Sequence, residues 1–106
     1  LQARETDTLI IERSIKNAAR VMKTASAQRV LGMEEKGAAL EQLLPMISGL
    51  REKQAMEEGD INTGIIHCGQ VVGLIHEIPS VKEIIDSIID EARLIGQRLY
   101  KMGIPA

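Results

Sequence analysis

The sequence predicts a mainly α-helical chain with at most one short strand, close to the N-terminus. Every long patterned segment places apolar residues at spacings of three and four, the period of an amphipathic helix. The one short apolar run rich in β-branched residues is Thr8–Ile11. Because 106 residues suffice for one core and 44% of them are hydrophobic, we expect a single folded unit over residues 1–106.

The N-terminal third combines the possible strand with two predicted helices. Thr8–Ile11 suits a buried strand, although it could also lead into a helix. Apolar residues at spacings of three and four predict a helix over residues 15–23, with basic side chains on another side. A further helix is predicted over residues 27–36, and Gly37 stands where a helix C-terminus turns the chain.

Two shorter helices are predicted in the middle of the chain. Residues 40–47 keep the helical period, but Pro45 removes a backbone donor and should kink or shorten that helix. Ser48 and Gly49 should end it, and another short helix is expected over residues 51–58.

Residues 59–64 are rich in turn formers and predict a loop. The loop leads into an apolar stretch at residues 65–75. Gly64, Gly69 and Gly73 carry no side chain, so each permits another backbone or a ligand to come close.

The clearest predicted element is a long helix over residues 81–102. Ser80 and Glu83 form an S-x-x-E capping box before it, and Gly103 with Pro105 supplies a stop after it. At about 1.5 Å per residue this helix is about 33 Å long, with an apolar stripe along its whole length. A stripe of that size needs cover, so we expect a homo-oligomer formed through aliphatic helix faces that include Ile84, Ile88 and Ile95.

Charge and cysteine content exclude several classes of partner. Thirteen Lys and Arg against fifteen Asp and Glu give a net charge of −2, so nothing favours nucleic acid or an anionic membrane surface. No apolar run approaches the ~20 residues that span a bilayer. The single Cys68 cannot form an internal disulfide, which favours the reducing cytoplasm. Because the chain opens at Leu1 without Met or a signal-peptide pattern, we expect a segment of a longer product.

The chain offers few residues for chemistry of its own. Apart from carboxylates, the metal-ligating side chains are His67, Cys68 and His76, and a nine-residue step puts the two histidines on opposite faces of a helix, so no metal site is expected. Adjacent residues seldom bring reactive atoms together, which favours a packed or half-exposed Cys68 over an activated thiolate. Nucleotide-binding and serine-hydrolase motifs are absent from the sequence.

One stretch resembles a known enzyme family. Residues 58–75 read EGDINTGIIHCGQVVGLI, and IPSVKE follows at residues 78–83. This is similar to the pattern E-G-D-x-x-x-G-x-x-x-A-G-Q-x-x-G-L-I and the capped helix near the C-terminus of nitronate monooxygenases (2-nitropropane dioxygenase-like) and FMN-dependent enoyl-acyl-carrier-protein reductases. Residues 7–14, 17–21 and 35–38 resemble the same family in the same order, so the resemblance covers roughly residues 6–90.

The resemblance implies a (β/α)8 TIM-barrel flavoenzyme as the parent protein. In that family FMN lies at the C-terminal mouth of the barrel, and it oxidises a nitronate or carries a hydride from a nicotinamide donor to an enoyl thioester or quinone. A complete barrel takes about 250 residues. The barrel strands and the phosphate-binding loops would therefore precede Leu1, and we expect the chain alone to be a helical C-terminal fragment that holds no FMN and has no catalytic residue.

The resemblance also implies which residues come near the flavin. Gly69 and Gln70 would be cofactor-binding, the glycine through close contact and Gln70 through its amide. His67 and Cys68 would lie on the substrate side, with Cys68 in place of the usual Ala. The alternative for Gly69 and Gln70 is helix packing, with a close crossing at the glycine and a helix end capped by Gln70. For the whole chain, the alternative is a non-catalytic helical module for interaction or self-association.

Overall fold

The computed structural model describes residues 2–104 and confirms a mainly α-helical chain. Strands β1 and β2 span Thr8–Ile11 and Ala19–Met22, and helices α1 to α4 span Ala25–Glu35, Leu40–Ile47, Gly49–Glu58 and Val81–Lys101. Short 3-10 helices occupy Glu5–Asp7 and Gln70–Leu74. The chain divides into two compact units, Leu1–His76 and Glu77–Ala106, and each is described by itself. The single unit expected over residues 1–106 stays a prediction.

The first unit contains a second strand that the sequence analysis did not predict. Ala19–Met22 pairs antiparallel with Thr8–Ile11, so the helix predicted over residues 15–23 and the limit of one strand are both wrong. In so short a stretch the apolar positions fit both the two-residue period of a strand and the 3.6-residue period of a helix. The pairing with β1 decides between the two structures. As a strand, this segment places Val21 fully buried in the core beside Ile11.

The loop of the β1–β2 hairpin is held by a carboxylate from the end of α1. The Glu12 backbone N–H donates to Glu34 Oε2 at 2.7 Å, and the Ser14 N–H and hydroxyl donate to Glu34 Oε1 at 3.0 and 2.7 Å. Glu12 has a φ of 63°, a conformation that a residue with a side chain rarely adopts. Glu34 therefore stabilises a loop that local preference alone would not select.

The core of the first unit is aliphatic and draws on the hairpin, on α1 and α2, and on the stretch after the loop at residues 59–64. Its buried cluster consists of Ile11, Val21, Ala27, Val30, Leu43 and Ile65. Thr24 caps the N-terminus of α1, and its hydroxyl accepts from the Ala27 N–H. After the C-terminus of α1, Gly37 turns the chain in the left-handed conformation, as predicted. α2 retains Pro45 inside it and ends at Ser48, and α3 starts directly afterwards.

The second unit is the long helix predicted from its capping box. The Ser80 hydroxyl accepts from the Glu83 N–H, and the Glu83 carboxylate accepts from the Ser80 N–H at 2.7 Å. Gly103 follows the helix with a φ of 76°, while Pro105 lies outside the described residues. None of the helices in residues 2–104 has the length and apolar character required to cross a membrane.

We predict that Glu34→Gln lowers the free energy of unfolding at neutral pH by about 1 kcal/mol, because a neutral amide accepts these hydrogen bonds less strongly. Partial burial by itself raises the pKa of Glu34, but the hydrogen bonds from Ser14 and Glu12 and the charge of Arg13 together hold that pKa below its ordinary 4.5. The carboxylate thus stabilises the fold above the unfolded pKa, and this contribution is lost as pH falls through the folded pKa. Urea titrations across this range should show the wild type and the variant converging in acid.

Glu35→Gln is the matched control, since Glu35 is an exposed neighbour on the same helix. A destabilisation by Glu34→Gln that stays constant down to acid pH would contradict the assigned role of the Glu34 carboxylate.

Candidate functional site

The four residues predicted to face a flavin site are consecutive, from His67 to Gln70. They belong to residues 65–70, which we call the edge segment and whose last residue, Gln70, begins the second 3-10 helix. The Met22 N–H donates to the Ile66 carbonyl at 2.8 Å, the Cys68 N–H donates to the Arg20 carbonyl at 3.1 Å, and His67 is bridged antiparallel to Val21. β2 is therefore paired with β1 along one edge and with this segment along the other. The backbone of the edge segment is held by the hairpin up to Cys68.

The predicted loop at residues 59–64 is confirmed, and it delivers the chain to the edge segment. Asp60 Oδ1 accepts from the Asn62 N–H at 2.9 Å, which closes a turn within the loop. The Ser26 hydroxyl donates to the Asn62 carbonyl at 2.6 Å, and the Thr24 hydroxyl donates to the Gly64 carbonyl at 3.3 Å. The start of α1 thus anchors the loop through residues that the sequence analysis did not single out.

Two glycines allow close backbone approach, as predicted. A Cβ on Gly64 would lie 2.7 Å from the Ala55 Cβ and 3.0 Å from the Arg51 carbonyl oxygen, so α3 passes where no side chain fits. A Cβ on Gly73 would lie 2.8 Å from a carboxylate oxygen of Glu5 and 3.2 Å from the Glu5 nitrogen. Gly64 and Gly73 lie on either side of the edge segment. At both positions the backbone therefore packs closely against the rest of the first unit.

Gly69, unlike Gly64 and Gly73, has room for a side chain. A Cβ there would meet only Val71, at 3.6 Å and 3.9 Å, which is ordinary contact, and its backbone is extended with a φ of −100°. Gly69 rather than Gln70 stands at the N-cap of the 3-10 helix, and both residues are exposed. The close crossing and the cap that helix packing would require are thus not found at these two residues. Their cofactor-binding role stays a prediction.

His67 and Cys68 do not form a reactive pair. Consecutive residues of an extended strand project to opposite faces. His67 Nδ1 lies 3.5 Å from Glu52 Oε2 on α3, a contact that becomes an ion pair only when the imidazole is protonated. Burial raises the pKa of the Cys68 thiol above its ordinary 9.0, and the positive charge of Arg20 offsets only part of that rise. The thiol is therefore mainly protonated at neutral pH, which makes it a poor nucleophile.

Most of the edge segment lies at the surface: His67, Gly69 and Gln70 are exposed, whereas Ile65 is buried in the core. A depression of about 350 Å³ in the first unit lies between the N-terminal residues, the end of β2 and the loop at Ile61 and Asn62, and it is lined by none of the four predicted site residues. No group of three His, Cys, Asp or Glu side chains is placed to hold a metal ion within residues 2–104. Small-molecule sites usually enclose most of their ligand. The edge segment can supply one wall of such a site.

Comparisons with known proteins find similarity over nearly the whole chain as well as over shorter stretches. No protein-family model matches the chain. The structure of FabK from Thermotoga maritima superposes with a TM-score of 0.81 and 32% sequence identity, covering 95% of this chain and 32% of FabK. A curated protein of Rhodococcus jostii (strain RHA1), (3aS,4S,5R,7aS)-5-hydroxy-7a-methyl-1-oxo-octahydro-1H-indene-4-carboxyl-CoA dehydrogenase, is 40% identical over 40 residues, which is 38% of this chain and 11% of that protein.

The similarity to FabK extends over nearly the whole chain, whereas the chain spans only about a third of FabK. An identity of 32% together with the same fold indicates that the two sequences are related over this region. The similarity to FabK therefore supports the part of the sequence resemblance that concerns FMN-dependent enoyl-acyl-carrier-protein reductases.

We predict that Gly64→Ala destabilises the first unit by about 1–3 kcal/mol, because the added methyl group overlaps backbone atoms of α3 that cannot move aside cheaply. Gly32→Ala is the control: it lies inside α1 with no atom within 4 Å of the position of a Cβ, so alanine should stabilise the chain by about 0.5–1 kcal/mol. Chemical denaturation followed by circular dichroism measures both changes. Equal effects of the two substitutions would show that α3 does not press on Gly64.

Proposed function

We propose that this chain is the C-terminal segment of an FMN-dependent oxidoreductase of the enoyl-reductase type, and that its edge segment forms one wall of the flavin site. The observation that carries the proposal is the 32% identity to FabK over 95% of the chain. FabK is an FMN-dependent enoyl-acyl-carrier-protein reductase. The residues that match the pattern shared by that family include Gly69 and Gln70 of the edge segment.

The residues of the edge segment fit contact with a planar group such as a flavin. Nothing in the described structure explains the absence of a side chain at Gly69, where a Cβ would meet only Val71. An exposed backbone without a Cβ lets a ring lie flat against it. Gln70 is exposed beside it and offers both an amide donor and a carbonyl acceptor. Bound FMN supplies the hydride-transfer chemistry, and Gly69 and Gln70 would hold and orient it.

The groups that complete the site belong to other parts of the parent protein. A (β/α)8 barrel consists of parallel strands joined by helices, but β1 and β2, the named strands in residues 2–104, form an antiparallel hairpin. The chain thus supplies an appended hairpin and helices, while the barrel sheet and the phosphate-binding loops would come from the preceding sequence. On this proposal the segment alone neither retains FMN nor turns over substrate, and the parent enzyme acts in the cytoplasm.

His67 and Cys68 are proposed to contact the substrate side without entering the chemistry. The protonated Cys68 thiol is only slightly larger than the Ala that the family pattern carries at this place, so it alters the shape of the wall more than its charge. His67 is half exposed and oriented towards Glu52, which leaves Nε2 as the imidazole atom available to a ligand.

Nitronate oxidation is the second candidate, because nitronate monooxygenases resemble the same pattern at residues 58–75. The two activities use different co-substrates and can be separated directly. The longer gene product, purified with its FMN, should oxidise NADH or NADPH only when a 2-enoyl thioester is added. Oxygen uptake driven by an alkyl nitronate, without thioester-dependent oxidation of the nicotinamide, would overturn the enoyl-reductase assignment in favour of the nitronate monooxygenase.

We predict that Gly69→Val in the longer gene product changes the unfolding midpoint little, because the extended backbone and the open space accept a side chain. The same change should weaken FMN binding or raise KM on the order of tenfold, the effect of inserting a side chain into a fitted contact. Gln70→Ala should lower kcat/KM by about fivefold through the loss of one hydrogen bond.

Gly49→Ala serves as the control for these variants, since no atom lies within 4 Å of its Cβ position and the residue stands outside the edge segment. It should leave both flavin binding and turnover unchanged. Full activity of Gly69→Val would exclude Gly69 from the flavin wall, and loss of fold in Gly69→Val would show that the glycine has a packing role instead.

A further inference from the structure

Helix α4 carries the seven-residue repeat of a coiled coil along its apolar stripe. Val81, Ile88, Ile95 and Met102 follow one another at intervals of seven, and Ile85, Ala92 and Leu99 do the same, displaced by four residues. Alternating steps of four and three are the spacing of a coiled-coil seam. Ile88, Ile95 and Leu99 are 60%, 57% and 40% exposed, and a single helix cannot cover its own stripe.

We propose that α4 pairs antiparallel with α4 of a second copy of this chain. The orientation follows from the residues that border the seam. On one border stand Glu91 and Arg98, each directly before a seam residue and opposite in charge. In an antiparallel pair the same border of both helices comes together, so Glu91 meets Arg98 of the second copy twice by symmetry. A parallel pair would place Glu91 against Gly96 and would leave these charges without partners.

A single register satisfies the seam and this charged border together. With Ile88 opposite Leu99 of the second copy, Ala92 lies opposite Ile95 and the two-fold axis passes between residues 93 and 94. The same register places Glu91 within about two residues of the level of Arg98 in the second copy, a distance that the two long side chains can span. The seam allows registers that differ by seven residues, and the charged border selects this one among them.

The other border of the seam adds a match of shape. Its members within α4 are Lys82, Ile89 and Gly96, which directly follow Val81, Ile88 and Ile95. In this register Ile89 comes within about two residues of the level of Gly96 in the second copy, so a large side chain meets a position without one. Within residues 2–104, apart from the nearby backbone of α4, no atom lies within 4 Å of a Cβ on Gly96, although glycine inside a helix lowers helix stability. The second copy thus supplies a reason for the glycine.

The charges over the rest of α4 favour the same orientation. Among the first eleven residues of the helix, four acidic side chains (Glu83, Asp86, Asp90 and Glu91) outnumber the one basic Lys82, whereas the charged side chains among the last ten are all basic: Arg93, Arg98 and Lys101. Antiparallel pairing sets the acidic half of one helix beside the basic half of the other, and it also opposes the two helix dipoles. This inference does not rest on the proposed oxidoreductase function, since it uses only α4.

The first test is a charge exchange, measured by analytical ultracentrifugation of the gene product as the cell makes it. Glu91→Arg and Arg98→Glu should each raise the dimer dissociation constant on the order of tenfold, because each creates two like-charge contacts. Combining them should restore pairing to within about threefold of the wild type. Asp90→Arg makes the same change of charge on the side of the helix away from the seam, and it should leave the dissociation constant within about threefold of the wild type.

Disulfide formation tests the orientation separately, in a Cys68→Ala background. A mixture of Glu91→Cys chains and Arg98→Cys chains should form covalent heterodimers. Each variant alone should not, because the two copies of residue 91 then lie about 7.5 Å apart along the helix axis and the two copies of residue 98 about 13.5 Å apart. Cross-linking within each single variant would indicate a parallel pair and would overturn the proposal.

Gly96→Leu separates pairing from helix stability. Leucine raises the helicity of α4, but it should weaken the dimer on the order of tenfold because it meets Ile89 of the second copy. Ile88→Asp should abolish the dimer through the seam itself. A monomer at all concentrations, or a dimer indifferent to the charge exchange and to Gly96→Leu, would overturn the proposal and assign the stripe to cover from elsewhere in the same polypeptide.

Discussion

Backbone pairing on both edges of β2 is the constraint on which the first unit depends. One edge binds β1 and the other binds the edge segment at Ile66 and Cys68, so a strand of four residues organises both the hairpin and the candidate site. Val21, at its centre, is fully buried. Were this stretch helical, neither neighbour would have a partner for its backbone groups, and unpaired buried backbone is costly. The hairpin in turn depends on Glu34, which holds Glu12 in an unfavourable conformation from the end of α1.

The glycines divide into two groups by what surrounds them. Gly64 and Gly73 are enclosed by atoms of the first unit, so their lack of a side chain is explained by packing. Gly32, Gly49, Gly69 and Gly96 have room for a side chain and lie outside the left-handed region, so contacts within residues 2–104 explain none of them. Of these four, Gly69 lies on the proposed flavin wall and Gly96 at the proposed contact between copies of α4. Room for a side chain does not by itself mark a contact, since Gly32 and Gly49 have the same room, and the two proposals rest on the position of the glycine as well.

The proposal that this chain forms only one wall of the site follows from the small size of its core and the exposure of its edge segment. Its aliphatic cluster is small and surrounds a two-stranded sheet, and the edge segment remains open on its outer side. An active site for hydride transfer needs a shielded cavity, which the edge segment does not form by itself. The edge segment is instead suited to closing a cavity built mainly by a barrel, as the similarity to one third of FabK suggests.

The sequence by itself determined the helices and turns whose signals are local. The Ser80–Glu83 box, the left-handed Gly37 and the turn at residues 59–64 depend on neighbours within a few positions, and the structure has each of them. Only the tertiary structure decided that Ala19–Met22 is a strand, because a four-residue stretch carries too few apolar positions to distinguish a period of two from one of 3.6. The same holds for the edge segment and for Glu12. Their conformations are set by β2 and by Glu34, which lie far away in sequence and meet them only in the folded chain.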